Sequence, residues 1–228
     1  TSGAASIRDV SNHSCMTKEH QETPKPNRMD RRLQRTRGKL IEGAKKVFSQ
    51  KGIDATSVHD ITEEADVGIG SFYTYFPTKD DIVAGVAAER LATHAATVAE
   101  HASNYDDATV STVMGARTLV HLLLREETFD WLLERPHILV REIQANVAPI
   151  AIADAKHGVE QGAFNTDVDD PRSQMMLIWG LVGFIATARE TGLIEDADKI
   201  FARAQLRLLG ADEPQIDKLM ELPLPDLG

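Results

Sequence analysis

Four hydroxyl side chains, Ser71, Tyr73, Thr74 and Tyr75, follow closely on Gly68-Ile69-Gly70. On a short helix such groups donate hydrogen bonds to phosphate oxygens, which positions a protein on a polyanion without reading its sequence. Thr74 adds a methyl and a hydroxyl and Ile69 an apolar side chain. Those groups meet thymine methyls and base edges in a major groove. Gly68 and Gly70 carry no Cβ, so the backbone there can approach a phosphate closely. A helix starting at this point also directs free N–H groups and a partial positive charge at it. Lys79, a few residues on, is a point charge for the same backbone. Phe72 and Phe76 read as core; adjacent aromatics at helical spacing cannot all point inward, which sends Tyr73 and Tyr75 outward.

Other chemistries are weaker in the sequence. Glu134-x-x-His137 is half of a paired carboxylate–histidine layout, but no second copy exists and Pro136 lies between the two. His94 and His101 share a helix face and could bind a metal with a third ligand, but exposed histidines are far commoner. No phosphate-binding glycine loop, dinucleotide fingerprint or nucleophile elbow occurs. A single cysteine, Cys15, excludes a disulfide framework and a cysteine-based zinc cluster. The expectation is therefore no catalytic residues, no metal and no cofactor; a helical metal-dependent enzyme is the reading left behind. For a small-molecule cavity the candidates are His121, Trp131, Gln144, Met175 and Trp179, each of which could equally be plain core.

Charge is divided unevenly along the 228 residues, whose formal net charge is −10. From Lys25 to Ile53 there are ten basic and two acidic side chains, a local +8, whereas residues 85–228 carry 12 basic and 23 acidic ones. A basic block on an acidic body suits a protein that offers one end to a polyanion. It equally suits a solvated helix face.

These residues need elements to hold them. Leu40, Ile41, Ala44, Val47 and Phe48 form one stripe of a helix over 31–50, ended by Gly52. Ser57 caps a short helix with Asp60 in the capping-box position, Asp66-Val67-Gly68 breaks it, and a second short helix carries Ile69–Phe76. Thr78 with Asp81 caps the next. Two short helices joined by a tight turn and braced by a longer one make a helix-turn-helix unit. Beyond it the pattern predicts helices at 79–102, 108–125, 128–134, 136–162 (bent at Pro149), 171–191 and 196–209. The expectation is an all-α chain: a flexible tail at 1–30, a DNA-binding domain at 31–84, a helical ligand-binding and dimerisation domain at 85–212, and a loose C-terminal tail at 213–228. Met175–Ala188 is apolar nearly all round, and Ile200, Phe201, Ala204 and Leu208 make a second apolar face. Together they predict a four-helix homodimer interface. That run is too short to cross a bilayer, and no secretory leader opens the chain, so a cytoplasmic protein without membrane contact is expected.

The stretch from Thr56 to Asp81, with Gly43-Ala44 and Val47-Phe48 before it, closely resembles the DNA-binding signature of the TetR family of transcriptional regulators. A weaker echo lies in Gly158–Phe164. The resemblance implies a two-fold homodimer on a palindromic double-stranded DNA operator, released when a small-molecule inducer enters the C-terminal domain. It implies DNA contacts at Ile69, Gly70, Ser71, Tyr73, Thr74 and Tyr75, with His59 opening the supporting helix and Lys79 starting the next. A DNA-binding activator or a ligand-independent regulator stays open beside the repressor. Two departures stand out: Asp66 occupies a turn position where glycine is usual, and His59 stands where arginine is frequent. The arginines at 28, 31, 32 and 35 are either a minor-groove arm or a tail adding non-specific attraction.

Overall fold

A continuous helix, α1 (Arg28–Lys51), opens the described part of the chain; the computed structural model describes residues 28–225. It begins three residues before the expected Arg31, with Asp30 in its first turn, where a carboxylate complements the helix dipole. Residues 1–27 of the expected tail and 226–228 lie outside the described residues. Gly52 ends α1 with φ +74, the left-handed conformation that a helix terminus assigns to glycine. Ten further helices follow: α2 (Val58–Glu64), α3 (Ile69–Tyr75), α4 (Lys79–Ala102), α5 (Ala108–Arg125), α6 (Thr128–Leu132), α7 (Pro136–Asn146), α8 (Ala148–Glu160), α9 (Pro171–Thr191), α10 (Ala197–Leu208) and α11 (Glu213–Met220). Among the described residues there is no strand, so the all-α expectation holds.

The caps fix most of these boundaries. Thr78 and Asp81 bond reciprocally at the start of α4, Asp107 accepts from two N–H groups opening α5, and Asp170 precedes Pro171 at the start of α9. The long helix expected over 136–162 is two helices. Val147 separates them, in the right-handed region but with φ stretched to −110 (ψ −46), and Pro149 falls in the first turn of α8. A proline has no N–H to give and its fixed φ suits a helix start, so the chain restarts there rather than bending. The expected loose tail at 213–228 is also corrected. Asp212 accepts from the Gln215 N–H at 2.8 Å, Pro214 sits in the first turn, and Ile216, Leu219 and Met220 of α11 are buried. The Arg117 guanidinium, itself buried, donates to the Leu222 carbonyl at 2.6 Å and to Asp198 at 2.7 Å, clasping the segment to α5 and α10.

One apolar core runs from α1 and α3 (Leu40, Phe48, Phe72) along α4 (Ile82, Leu91) into α5, α7 and α9 (Leu123, Ile143, Leu181). A second lies at the far end around Met114, Phe164, Leu206 and Ile216. Phe164 folds back on α8 so closely that a Cβ at Gly158 would stand 2.3 Å from its ring, which explains why a glycine and a phenylalanine pair at that spacing. α4 passes through residue 84 without interruption, so the expected boundary lies inside a helix that belongs to both units. No helix of the described residues is long and apolar enough to cross a membrane.

Candidate nucleic-acid interface and ligand cavity

Two short helices hold the N-terminal site. At α2 the Asp60 N–H donates to Ser57 Oγ at 3.1 Å while the Ser57 N–H donates back to Asp60 Oδ2 at 2.7 Å, a complete capping box. The Lys51 ammonium lies 2.8 Å from the same oxygen. That cation first, and then the Ser57 donors, hold the Asp60 carboxyl well below the usual carboxylate range. Gly43 of α1 lets α2 come close: a Cβ there would sit 3.0 Å from that of Ala65. The turn to α3 passes through Asp66 at φ +51, so the unusual residue does adopt the left-handed backbone that glycine would take without strain.

α3 is anchored by its phenylalanines. Phe72 and Phe76 are buried with ring centroids 5.9 Å apart, and the Arg37 guanidinium lies 5.4 Å from the Phe76 centroid. With that side pinned inward, Ile69 (51% exposed), Gly70, Ser71, Tyr73 (54%) and Thr74 face solvent together. A Cβ at Gly68 or Gly70 would meet nothing within 4 Å, so the N-terminal turn is open on its outer side. Thr74 Oγ1 donates to the Gly70 carbonyl at 3.3 Å and keeps its methyl and lone pairs for another partner. His59 is exposed at the start of α2 with Nδ1 3.6 Å from Glu63 Oε2.

Two predicted contacts are placed differently. Tyr75 is half-buried and packs against the core, so only part of it faces outward. Lys79 turns away from the α3 surface: its ammonium donates to the carbonyls of Ile53 (2.8 Å), Thr56 (3.1 Å) and Asp54 (3.4 Å). Those carbonyls are left over where α1 ends and α2 begins, and a cation with three donors satisfies them together. In this arrangement Lys79 braces the α1–α2 junction. The arginines at 28, 31, 32 and 35 lie exposed on α1 and pair with no acid among the described residues, whereas Lys45, Lys46 and Lys51 pair with Glu42 and Glu89, Glu64 and Asp60. They project from a helix, not from an extended arm.

A mostly apolar cavity of about 180 Å³ lies in the body between α5, α7, α8, α9 and α10. Leu119, Ile143, Val147, Ile150, Leu177 and Phe201 are among its apolar lining, and Thr112 and Asp154 are among its polar members. None of the five ligand candidates from the sequence lines it. Trp131 is core, its ring centroid 4.9 Å from that of Phe48, and so ties α6 to α1. His121 is half-buried on α5 near Arg125 and Asp198; burial first, then Arg125, pushes its pKa down. Gln144 is exposed on α7, and Met175 packs against the core. Trp179 is 46% exposed on the outer side of α9. From α9 it is Ser173, Gln174, Met176, Leu177, Ile178 and Leu181 that line this cavity, not Met175 or Trp179.

That outer side is itself notable. Met176, Trp179, Gly180, Gly183 and Thr187 form one exposed stripe on α9 and Ile200, Ala204 and Leu208 another on α10, with Met176 and Leu208 also bordering the cavity. Exposed tryptophan, methionine and isoleucine beside small residues are what two helices leave bare when they meet a partner's helices. Among the described residues no group of three metal-ligating side chains comes together.

Residues 40–86 match the family described as bacterial regulatory proteins, tetR family, and residues 106–219 match the tetracyclin repressor-like C-terminal domain. The crystal structure of RolR in complex with the ligand resorcinol is 26% identical, covers 87% of this chain and 99% of its own, and superposes with a TM-score of 0.76. The transcriptional repressor KstR2 of Rhodococcus jostii (strain RHA1) is 27% identical over 150 residues, 58% of this chain and 70% of its own length. The uncharacterized HTH-type transcriptional regulator YvdT of Bacillus subtilis (strain 168) is 39% identical over 56 residues, 25% of this chain. That match spans only 28% of YvdT, and matches to two further B. subtilis regulators span 15% and 33% of theirs.

Proposed function

Because the chain belongs to the TetR family of bacterial regulatory proteins, we propose that it is a ligand-responsive transcriptional repressor, not an enzyme, which binds a palindromic operator as a homodimer. The observation that carries the reading is α3: Phe72 buried on one side, and Ile69, Ser71, Tyr73 and Thr74 presented together on the other. In the major groove, Ser71 and Tyr73 donate to phosphates, and Thr74 and Ile69 meet base edges and thymine methyls. His59, Gly70 and the exposed part of Tyr75 sit at the margin of the same surface. The arginines at 28, 31, 32 and 35, which pair with no acid among the described residues, add attraction that does not depend on sequence.

Dimerisation is assigned to the exposed stripes of α9 and α10, packed as four helices about a two-fold axis. One head reads half a site, so a palindrome needs the pair. A small molecule in the cavity acts on the heads through α4, since Val98 of α4 lines the cavity and the same helix carries Ile82 and Val83 into the N-terminal core. RolR's complex with resorcinol supports a small-molecule ligand in a body of this fold. Such a regulator works in the cytoplasm.

Selecting bound fragments from the source genome and footprinting the best of them tests this reading. A protected palindrome is expected; protection with no symmetry contradicts the dimer.

A further inference from the structure

We propose that the body cavity selects a compact, uncharged, ring-sized molecule bearing a hydroxyl group, anchored between Asp154 and Thr112. This rests on the cavity being the ligand site proposed above.

Size comes first. An apolar protein cavity of about 150 Å³ holds one benzene. At about 180 Å³ this one takes a single ring with a few substituent atoms.

Charge comes second. Among the described residues no Lys, Arg or His lines the cavity, while the carboxylates of Asp154 and Asp167 do. A carboxylate or phosphate on a ligand would enter a low-dielectric space against like charge with no cation to meet it.

Third is the polar pair. Thr112 is 5% exposed, and its Oγ1 is a buried hydroxyl without a hydrogen-bond partner. Such an atom is costly unless something completes it. The hydroxyl of Ser111, the residue before Thr112 on α5, donates to the Asp154 carboxyl and holds it, while burial raises the Asp154 pKa. An acceptor and a hydroxyl on one wall fit a group that donates and accepts at once. A ligand hydroxyl donates to Asp154 and accepts from Thr112; an ammonium only donates, and a hydrocarbon does neither. Of the other polar members, Gln174 Nε2 donates to the Val168 carbonyl at 2.8 Å and Asp167 Oδ1 accepts from the Asp169 N–H at 3.0 Å, while Thr166, Ser173 and Gln205 complete the polar lining.

The test titrates the full chain calorimetrically with phenol, benzene, benzoate and benzylamine. Phenol is expected to bind about tenfold more tightly than benzene, the worth of one good hydrogen bond. Thr112→Val and Asp154→Asn each bring phenol down towards benzene and leave benzene unchanged. Asp154→Asn also strengthens benzoate. Ala151→Trp, at the cavity's exposed edge, abolishes binding of every probe, with thermal unfolding confirming that each variant is folded. Benzoate or benzylamine binding as tightly as phenol overturns the class, as does a phenol advantage that survives both anchor variants. Phenol binding that survives Ala151→Trp places the site elsewhere and overturns the assignment. Silence from all four probes overturns the ligand-site reading itself and this inference with it, whereas benzene binding without a phenol advantage overturns this inference alone.

Discussion

At the scale of single residues, the side chains on α3 divide by role. Thr74→Ala should relax preference at one base position of the operator while leaving other positions intact, read by binding to a set of singly substituted duplexes. Equal loss on every duplex would contradict its reading role. Lys79→Ala should instead cost stability, because three carbonyls at the α1–α2 junction lose their donor. A destabilisation of roughly 1–3 kcal/mol in chemical unfolding is expected, with no selective loss of phosphate contacts in the salt dependence of binding. The Asp60 carboxyl, held low by Lys51 and Ser57, stabilises the folded state above the ordinary carboxylate value near pH ~4. As pH falls further, towards its own lower pKa, that contribution is lost. The wild type should therefore lose stability on acidification in that window more steeply than Asp60→Asn, as thermal melts at stepped pH would show. Much at this scale was legible in the sequence. The split between inward phenylalanines and outward Tyr73 follows from spacing, and the left-handed Asp66 from its place in the turn. Lys79 was not, because position in sequence says that a lysine lies near the site and not where its long side chain goes. Only the leftover carbonyls of a neighbouring loop decide that.

At the scale of elements, caps and periodicity located most of the helices to within a residue or two. Ser57, Thr78, Asp107 and Asp170 each precede a helix, and Gly52 and Gly192 each follow one. The two misreadings both concern proline. Pro149 starts α8 instead of bending a longer helix, and Pro214 starts α11 instead of loosening a tail. In both, the proline falls in a first turn, where its missing N–H costs nothing. Asp212 three residues before Gln215, with Ile216, Leu219 and Met220 at helical spacing, was the overlooked signal for α11. Ending the chain at Asp212 should therefore lower the melting temperature clearly, since it strips three buried side chains from the second core and leaves Arg117 without one of its partners. A melting temperature unchanged by that truncation would contradict α11 as a structural element. The cavity residues were illegible for a related reason. α9 is apolar nearly all round, so a helical stripe cannot say which side meets a void, which meets the core and which meets a partner. Met175 and Trp179 went astray on that ambiguity.

For the whole molecule, segregated charge, a pinned reading helix and two bare apolar stripes converge on one arrangement. Acidic side chains are concentrated in the body, so the net charge of −10 need not oppose DNA binding at the other end, where the arginines at 28, 31, 32 and 35 pair with no acid among the described residues. The same body presents the exposed faces of α9 and α10, which in the proposed dimer would join two heads at a fixed spacing. Placing a charge in the middle of that face, by Trp179→Glu, should convert dimer to monomer in sedimentation and weaken operator binding strongly while preserving helix content. The most direct measurement is sedimentation of the full chain with and without a duplex carrying its genomic palindrome, over a range of salt. Two copies per duplex are predicted, with affinity falling steeply and linearly on a logarithmic salt scale, as several phosphate contacts per half-site require. A chain that sediments as a monomer and leaves the duplex free even at the lowest salt would contradict the account.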